Sequence, residues 1–196
     1  MKQFSKNIER LFSAYTFRTH ISEGAVTPHK LKENSDDRLE KLRKRGEKPM
    51  ICYEVATHVA RAGNTISKQV EMALKAEKNY SIHYLALMNI SDSTSRHHFD
   101  SNEIRESSFL NFSCSNHGMQ HTVYIHKGPD GTLTLMHNNN LLLDRELSLI
   151  NCQLECRGGA NIYDITTGCD TAINRYMTKN SLVVYFTPAS QINAKF

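Results

Sequence analysis

An α+β domain with a mainly antiparallel sheet is what this chain predicts, and three stretches predict it. Between Gln120 and Asn140 two alternating, β-prone runs, His121–Lys127 and Thr132–His137, flank Gly128-Pro129-Asp130-Gly131. Asp-Gly between such runs signals a hairpin, because both central turn residues can take positive φ. Upstream, Ile51, Val55 and Val59 recur every four residues behind Pro49, with Ala56 and Ala60 beside them, which is helical spacing with a proline in the first turn. Downstream, Ser181–Thr187 (SLVVYFT) reads as a buried strand ended by Pro188.

The 196 residues suit one domain with an appendage, and 39% hydrophobic against 22% charged residues are globular values. No run approaches the apolar length of a membrane-spanning helix, so no integral membrane segment is expected. The first twenty residues lack an apolar stretch followed by a small-residue cleavage site, so synthesis in the cytoplasm without a Sec signal is expected. Five cysteines, an odd number, then argue for reduced thiols at the site of synthesis.

The formal charge of +4 is uneven: residues 1–48 hold 12 Lys/Arg against 7 Asp/Glu. We therefore expect a basic, helical N-terminal extension over residues 1–46 and a main domain over 47–196. Phe4, Ile8, Leu11, Phe12 and Tyr15 form a helical stripe, Thr19–Asn34 reads as a linker, and Ser35 or Asp36 caps a charged helix that Gly46 ends. In that helix Asp37–Lys41 and Glu40–Lys44 are spaced as ion pairs, so Lys41–Arg45 reads first as a solvated face.

Past the Cys52 helix, which Gly63 closes, Ile66–Lys78 has helical spacing and Ile82–Asn89 is a strand candidate. Ser91–Glu106, with His97-His98, is a polar loop, and Ser108–Cys114 a strand. Strand pieces follow at Leu141–Leu143 and Leu147–Cys156, a turn at Gly158-Gly159, a strand at Ala160–Thr166 and a helix at Asp170–Met177.

Hairpin register bears on chemistry. A four-residue loop sets Lys127 against Thr132 and His121 against Asn138; a tight Asp130-Gly131 turn sets His121 against Asn140. In either register an imidazole and a carboxamide are neighbours on one face, where the amide can fix the ring's tautomer. Cys52 falls in the first turn of its helix, where unpaired N–H groups and the helix dipole favour a thiolate. An inert cysteine on an apolar helix face is the plainer alternative.

A cysteine opening a helix, then a histidine opening a strand, then an asparagine ending the next strand resembles the papain-like cysteine hydrolase superfamily. That superfamily includes peptidases, protein deamidases, transglutaminase-like enzymes, and several bacterial toxins and injected effectors. The resemblance covers about residues 48–145 and is one of layout. It implies a papain-like fold and acyl transfer on an amide of a protein or peptide substrate, with Cys52 as nucleophile, His121 as base and Asn138 (alternatively Asn140) orienting the ring. It implies no cofactor and no metal, and it leaves delivery into a host or neighbouring cell open. The sequence departs from papain-type peptidases in having Glu47 and Lys48 where an oxyanion Gln or Asn would precede the cysteine, and in having no Trp.

Two rival readings stand beside it. Cys114, His117, His121, Cys152 and Cys156 contain enough ligands for a zinc-stabilised domain, although paired C-x-x-C knuckles are missing. A non-enzymatic protein-binding module would instead use the basic N-terminal helices. Nucleic acid is not an expected partner, because no aromatics interleave with Lys41–Arg45 and the rest of the chain is slightly acidic.

Overall fold

A computed structural model describes residues 26–46, 52–76, 96–114, 118–138, 153–154, 160–164 and 169–195. The expected Phe4–Tyr15 stripe, the Ile82–Asn89 strand, Leu141–Leu143, most of Leu147–Cys156 and Asn140 lie outside these residues.

The fold is α+β, and its sheet is antiparallel throughout. Six strands, β1 (Ser108–Cys114), β2 (Gly118–Lys127), β3 (Leu133–Asn138), β4 (Gln153–Leu154), β5 (Ala160–Asp164) and β6 (Val183–Pro188), lie in the order β4-β5-β3-β2-β1-β6. Helices cover both faces. One face carries α1 (Pro28–Lys44), α2 (Cys52–Ala62), α3 (Lys68–Ala76) and the short α5 (Ala189–Lys195), packed with Phe109, Tyr124 and Met136. The other carries α4 (Cys169–Lys179) and the segment around Phe99 and Ile104, packed with Leu110, Phe112, Val123, Ile125, Leu133 and Leu135. Even-numbered residues of β2 and β3 therefore face α2, and odd-numbered ones face α4, as strand alternation requires.

The N-terminal reading is corrected on two points. The helix begins at Pro28, inside the expected linker. Thr27 accepts a hydrogen bond from the Lys30 N–H at 3.3 Å, so it serves as the cap in place of Ser35 or Asp36. In addition, Leu31, Ser35, Leu39 and Leu42 fall on one face of α1 and are buried, the leucines in the same core as Val55 and Val59. Charge density hid this stripe. Residues from Pro28 onward thus share the core assigned to 47–196, and no boundary at residue 46 separates them. The outward face keeps its surface pairs, including Glu40–Lys44 at 3.7 Å.

Helix α2 lies over β2 and β3 because alanines alternate with valines on its inner side: Val55, Ala56, Val59 and Ala60 are all buried. Its stop differs in detail from expectation. Asn64, at φ 57°, takes the left-handed position, and the Thr65 N–H closes on the Ala60 carbonyl at 3.1 Å. Gly63 is needed for space, since a Cβ there would stand 3.0 Å from His126 Nδ1 and 3.1 Å from Leu31 Cδ1.

The hairpin exists, in neither expected register. Lys127 faces Leu133, and the pairs run through His126↔Thr134 and Ile125↔Leu135 to Tyr124↔Met136. Five residues form the loop. The Gly128 N–H bonds the Thr132 carbonyl at 2.8 Å, Gly131 sits at φ 84°, and Asp130 accepts from the Thr132 N–H at 3.0 Å. Adding one residue to the four-residue loop moves every facing pair by one position.

Candidate functional site

Register decides which polar side chains meet. Continuing the β2–β3 pairing puts Asn138 opposite Thr122, and position 139 opposite His121. Neighbouring positions on a strand face opposite ways, so Asn138 takes the α2 side of the sheet and His121 the α4 side. The pairing of His121 with Phe112 on β1 agrees, because Phe112 packs against Tyr176 of α4. The expected His121–Asn138 pair is therefore not formed, and the physical reason is the five-residue loop.

His121 meets His137 instead. Its Nε2 lies 3.2 Å from His137 Nδ1, with ring centroids 5.3 Å apart and planes at 86°. Both rings are buried, His121 at 3% exposure and His137 at 0%. At this distance one of the two nitrogens carries the shared hydrogen and the other accepts it. The sequence reading took His137 only as a strand end. A five-residue loop with glycine at its left-handed position would have exposed it as the diagonal neighbour of His121 on the same face.

An irregularity in β2 stands next to this pair. Phe112 faces His121 while Ser113 faces Met119, so Gln120 is an extra residue in the ladder. Such bulges re-aim side chains at strand ends. Cys114, two positions beyond Phe112 on β1, is half-buried and packs with the α4-side core, on the face of His121 and His137.

Cys52 is the first described residue of α2 and is half-buried; residues 47–51 before it lie outside the description. Its helix covers the Tyr124 side, so the sheet's alternation places Cys52 and His121 on different sides. The two are nevertheless brought to the same end. Gly63, at the far end of α2, abuts His126. Ten residues of helix run about 15 Å, close to the roughly 17 Å that five residues of β2 cover between His126 and His121.

The remaining buried polar groups on the α2 side bind elements together. Arg38 of α1 donates from Nε to His58 Nδ1 at 3.1 Å and also pairs with Glu71 of α3, and His58 Nδ1 stands 3.3 Å from Glu71 Oε1. His58 and Glu71 are each 5% exposed. A second network joins Thr65 Oγ1 to the Tyr124 hydroxyl at 2.5 Å, Tyr124 to His126 Nδ1 at 3.3 Å, and His126 Nε2 to the Val26 carbonyl at 2.6 Å. A carbonyl only accepts, so Nε2 carries the hydrogen and Nδ1 accepts from the tyrosine. Burial pushes the Tyr124 phenol up and the His126 imidazolium down, so both groups are held neutral.

As for a metal, no group of three His, Cys, Asp or Glu among the described residues is placed to hold one. His117, Cys152 and Cys156 of the zinc reading lie outside those residues. No helix among the described residues is long and apolar enough to cross a membrane.

The architecture is that of an α+β domain whose antiparallel sheet presents a buried imidazole pair at one end. Residues 30–196 match DUF8038, a domain of unknown function, and the chain belongs to that family. The match includes most of α1, in keeping with its place in the core. Neither the curated proteins nor the solved structures contain a match.

Proposed function

We propose that this protein is a cysteine-dependent acyl-transfer enzyme acting on an amide of a protein or peptide, with His121 as its base. One observation supports the reading above the others, the buried 3.2 Å contact of His121 Nε2 with His137 Nδ1. It fixes the ring's orientation from one nitrogen and leaves proton exchange with a thiol to the other, Nδ1. His137 thus takes the orienting role that the resemblance gives to an asparagine.

The nucleophile in this reading is Cys52, which reaches the His121 end of the sheet on α2. The thiol proton passes to His121 Nδ1, and the thiolate forms the bond to the amide carbon. Collapse of the tetrahedral adduct breaks the C–N bond as the imidazolium protonates the leaving amine, and water or a second amine then releases the acyl group. A peptidase, a glutamine deamidase and a transglutaminase-like enzyme share these steps. A papain-like arrangement and delivery into another cell belong to the same proposal. The shared sheet face of Cys114 with His121 and His137 favours a second reading, in which Cys114 is the nucleophile.

Alkylation by iodoacetamide, followed site by site by peptide mass mapping, tests the proposal. The catalytic thiol is expected to react at least about tenfold faster near neutral pH in the native protein than in His121→Ala, because an unassisted thiol is mostly protonated there. Acceleration at Cys52 supports the first assignment and acceleration at Cys114 the second. Rates at both cysteines unchanged by His121→Ala would overturn the enzyme reading.

A further inference from the structure

We propose that His121 and His137 bind one proton as a unit across the acidic to neutral range, and that His137 is the positioning residue that sets the pH at which the site is switched off. This deepens the reading above and rests on it where activity is concerned.

The geometry leaves few arrangements. With both rings neutral, one hydrogen occupies the line between His121 Nε2 and His137 Nδ1. If it sits on Nε2, a first added proton goes to His121 Nδ1 and the bond survives, strengthened by its new charge. A second proton would have to enter on His137 Nδ1, setting N–H against N–H at 3.2 Å between two buried cations. Both the lost hydrogen bond and the like charge oppose it. Starting from the opposite tautomer gives the same count with the roles exchanged. Proton uptake then belongs to the pair, and one ring stays neutral while the other is charged.

Other titratable groups near this face do not supply a counter-charge. Cys114 of β1 and Cys169 and Tyr176 of α4 are neutral in their ordinary forms at neutral pH. The carboxylates on packed segments are turned to other partners, Asp170 to Ser101 and Glu103 to Arg96. Arg175 and Lys179 of α4 are exposed.

An imidazole in this role differs from a carboxamide in one respect: it can itself take up a proton. A carboxamide would hold His121 through the same contact without competing for protons. The pair is therefore an acid-sensitive version of the orienting contact. Below the pH at which the single proton binds, His121 Nδ1 can no longer accept from a thiol.

Nitrogen-15 NMR of the full chain with labelled histidines reads this directly, using His137→Asn to identify the two rings. Between pH 8 and 4.5 the expected result is one proton taken up by the pair, with the second ring neutral to the lowest pH. In His137→Asn, His121 should titrate alone, with a displaced midpoint. Two independent full titrations in the native protein, neither altered when the other ring is replaced, would overturn the proposal; that measurement stands even where the variant fails to fold. The iodoacetamide rate supplies the functional arm. His137→Asn should keep the His121-dependent acceleration while moving its acid limb, whereas His137→Ala should lose most of it; an acid limb identical in native and Asn proteins would remove His137 from pH control. If the NMR result holds while His121→Ala leaves alkylation unchanged, the enzyme reading fails and the shared proton remains.

Discussion

The two faces of the sheet use buried polar groups in different ways. On the α2 side every network spans separate elements: Arg38–His58–Glu71 joins three helices, and Thr65–Tyr124–His126–Val26 joins the end of α2, a strand and the segment leading into α1. Each of those bonds fixes a relation that no backbone ladder supplies. On the α4 side the His121–His137 contact links β2 and β3, which the ladder already holds in register. Burying two imidazoles there adds little to assembly. A polar contact that the fold does not need for cohesion is where chemistry is best sought, since burying polar groups carries a cost that chemistry can justify.

The largest test of that contrast removes the α1 contribution. A chain beginning at Lys48 loses Leu31, Leu39 and Leu42 from the core, worth on the order of 6 kcal/mol by burial. A domain has only about 5–15 kcal/mol in total, so cooperative thermal unfolding should disappear. A chain beginning at Val26 should keep it. Survival of a sharp transition in the shorter chain would show that residues 28–46 are an appendage after all.

Arg38→Ala is the intermediate test. It leaves Glu71 and His58 facing each other in a nearly dry site without their shared cation. Full burial would make the loss several kcal/mol, and the partial exposure of Arg38 reduces it to roughly 2–3 kcal/mol. Urea titration should show this as a lower midpoint at unchanged slope. By contrast, His137→Asn should move the midpoint far less, and comparable losses from the two would erase the distinction between the faces.

The smallest effect is a pH dependence through His126. Its folded pKa lies below the ordinary 6.5, chiefly through burial, against the raising influence of the Val26 carbonyl and Asp130. The unfolded chain therefore binds the proton more readily. This site leaves stability unchanged well above pH 6.5 and lowers it as pH falls from there towards the folded value. Unfolding temperatures recorded from pH 8 to 5 should fall less steeply in His126→Gln than in the native protein. Equal slopes would show that the Val26 latch does not contribute to acid sensitivity.

Local signals determined much of this protein from its sequence alone. Alternation gave β1, the hairpin and β6, and four-residue spacing gave α2, because each pattern reports a face that must be buried whatever the neighbours are. The charged helix was legible as a helix but not as part of the core. Its leucines at 31, 39 and 42 are diluted by lysines and acids, and burial of such a stripe depends on the α2 surface waiting for it. The site was legible only in part. His121 could be singled out as a residue type at a strand opening, yet its partner could not be named. Loop length sets register, register sets which side chains share a face, and one residue in the loop exchanges Asn138 for His137. Tertiary structure also decided which thiols come to that end of the sheet, since the direction of α2 and the face of Cys114 are relations between elements that no single stretch contains.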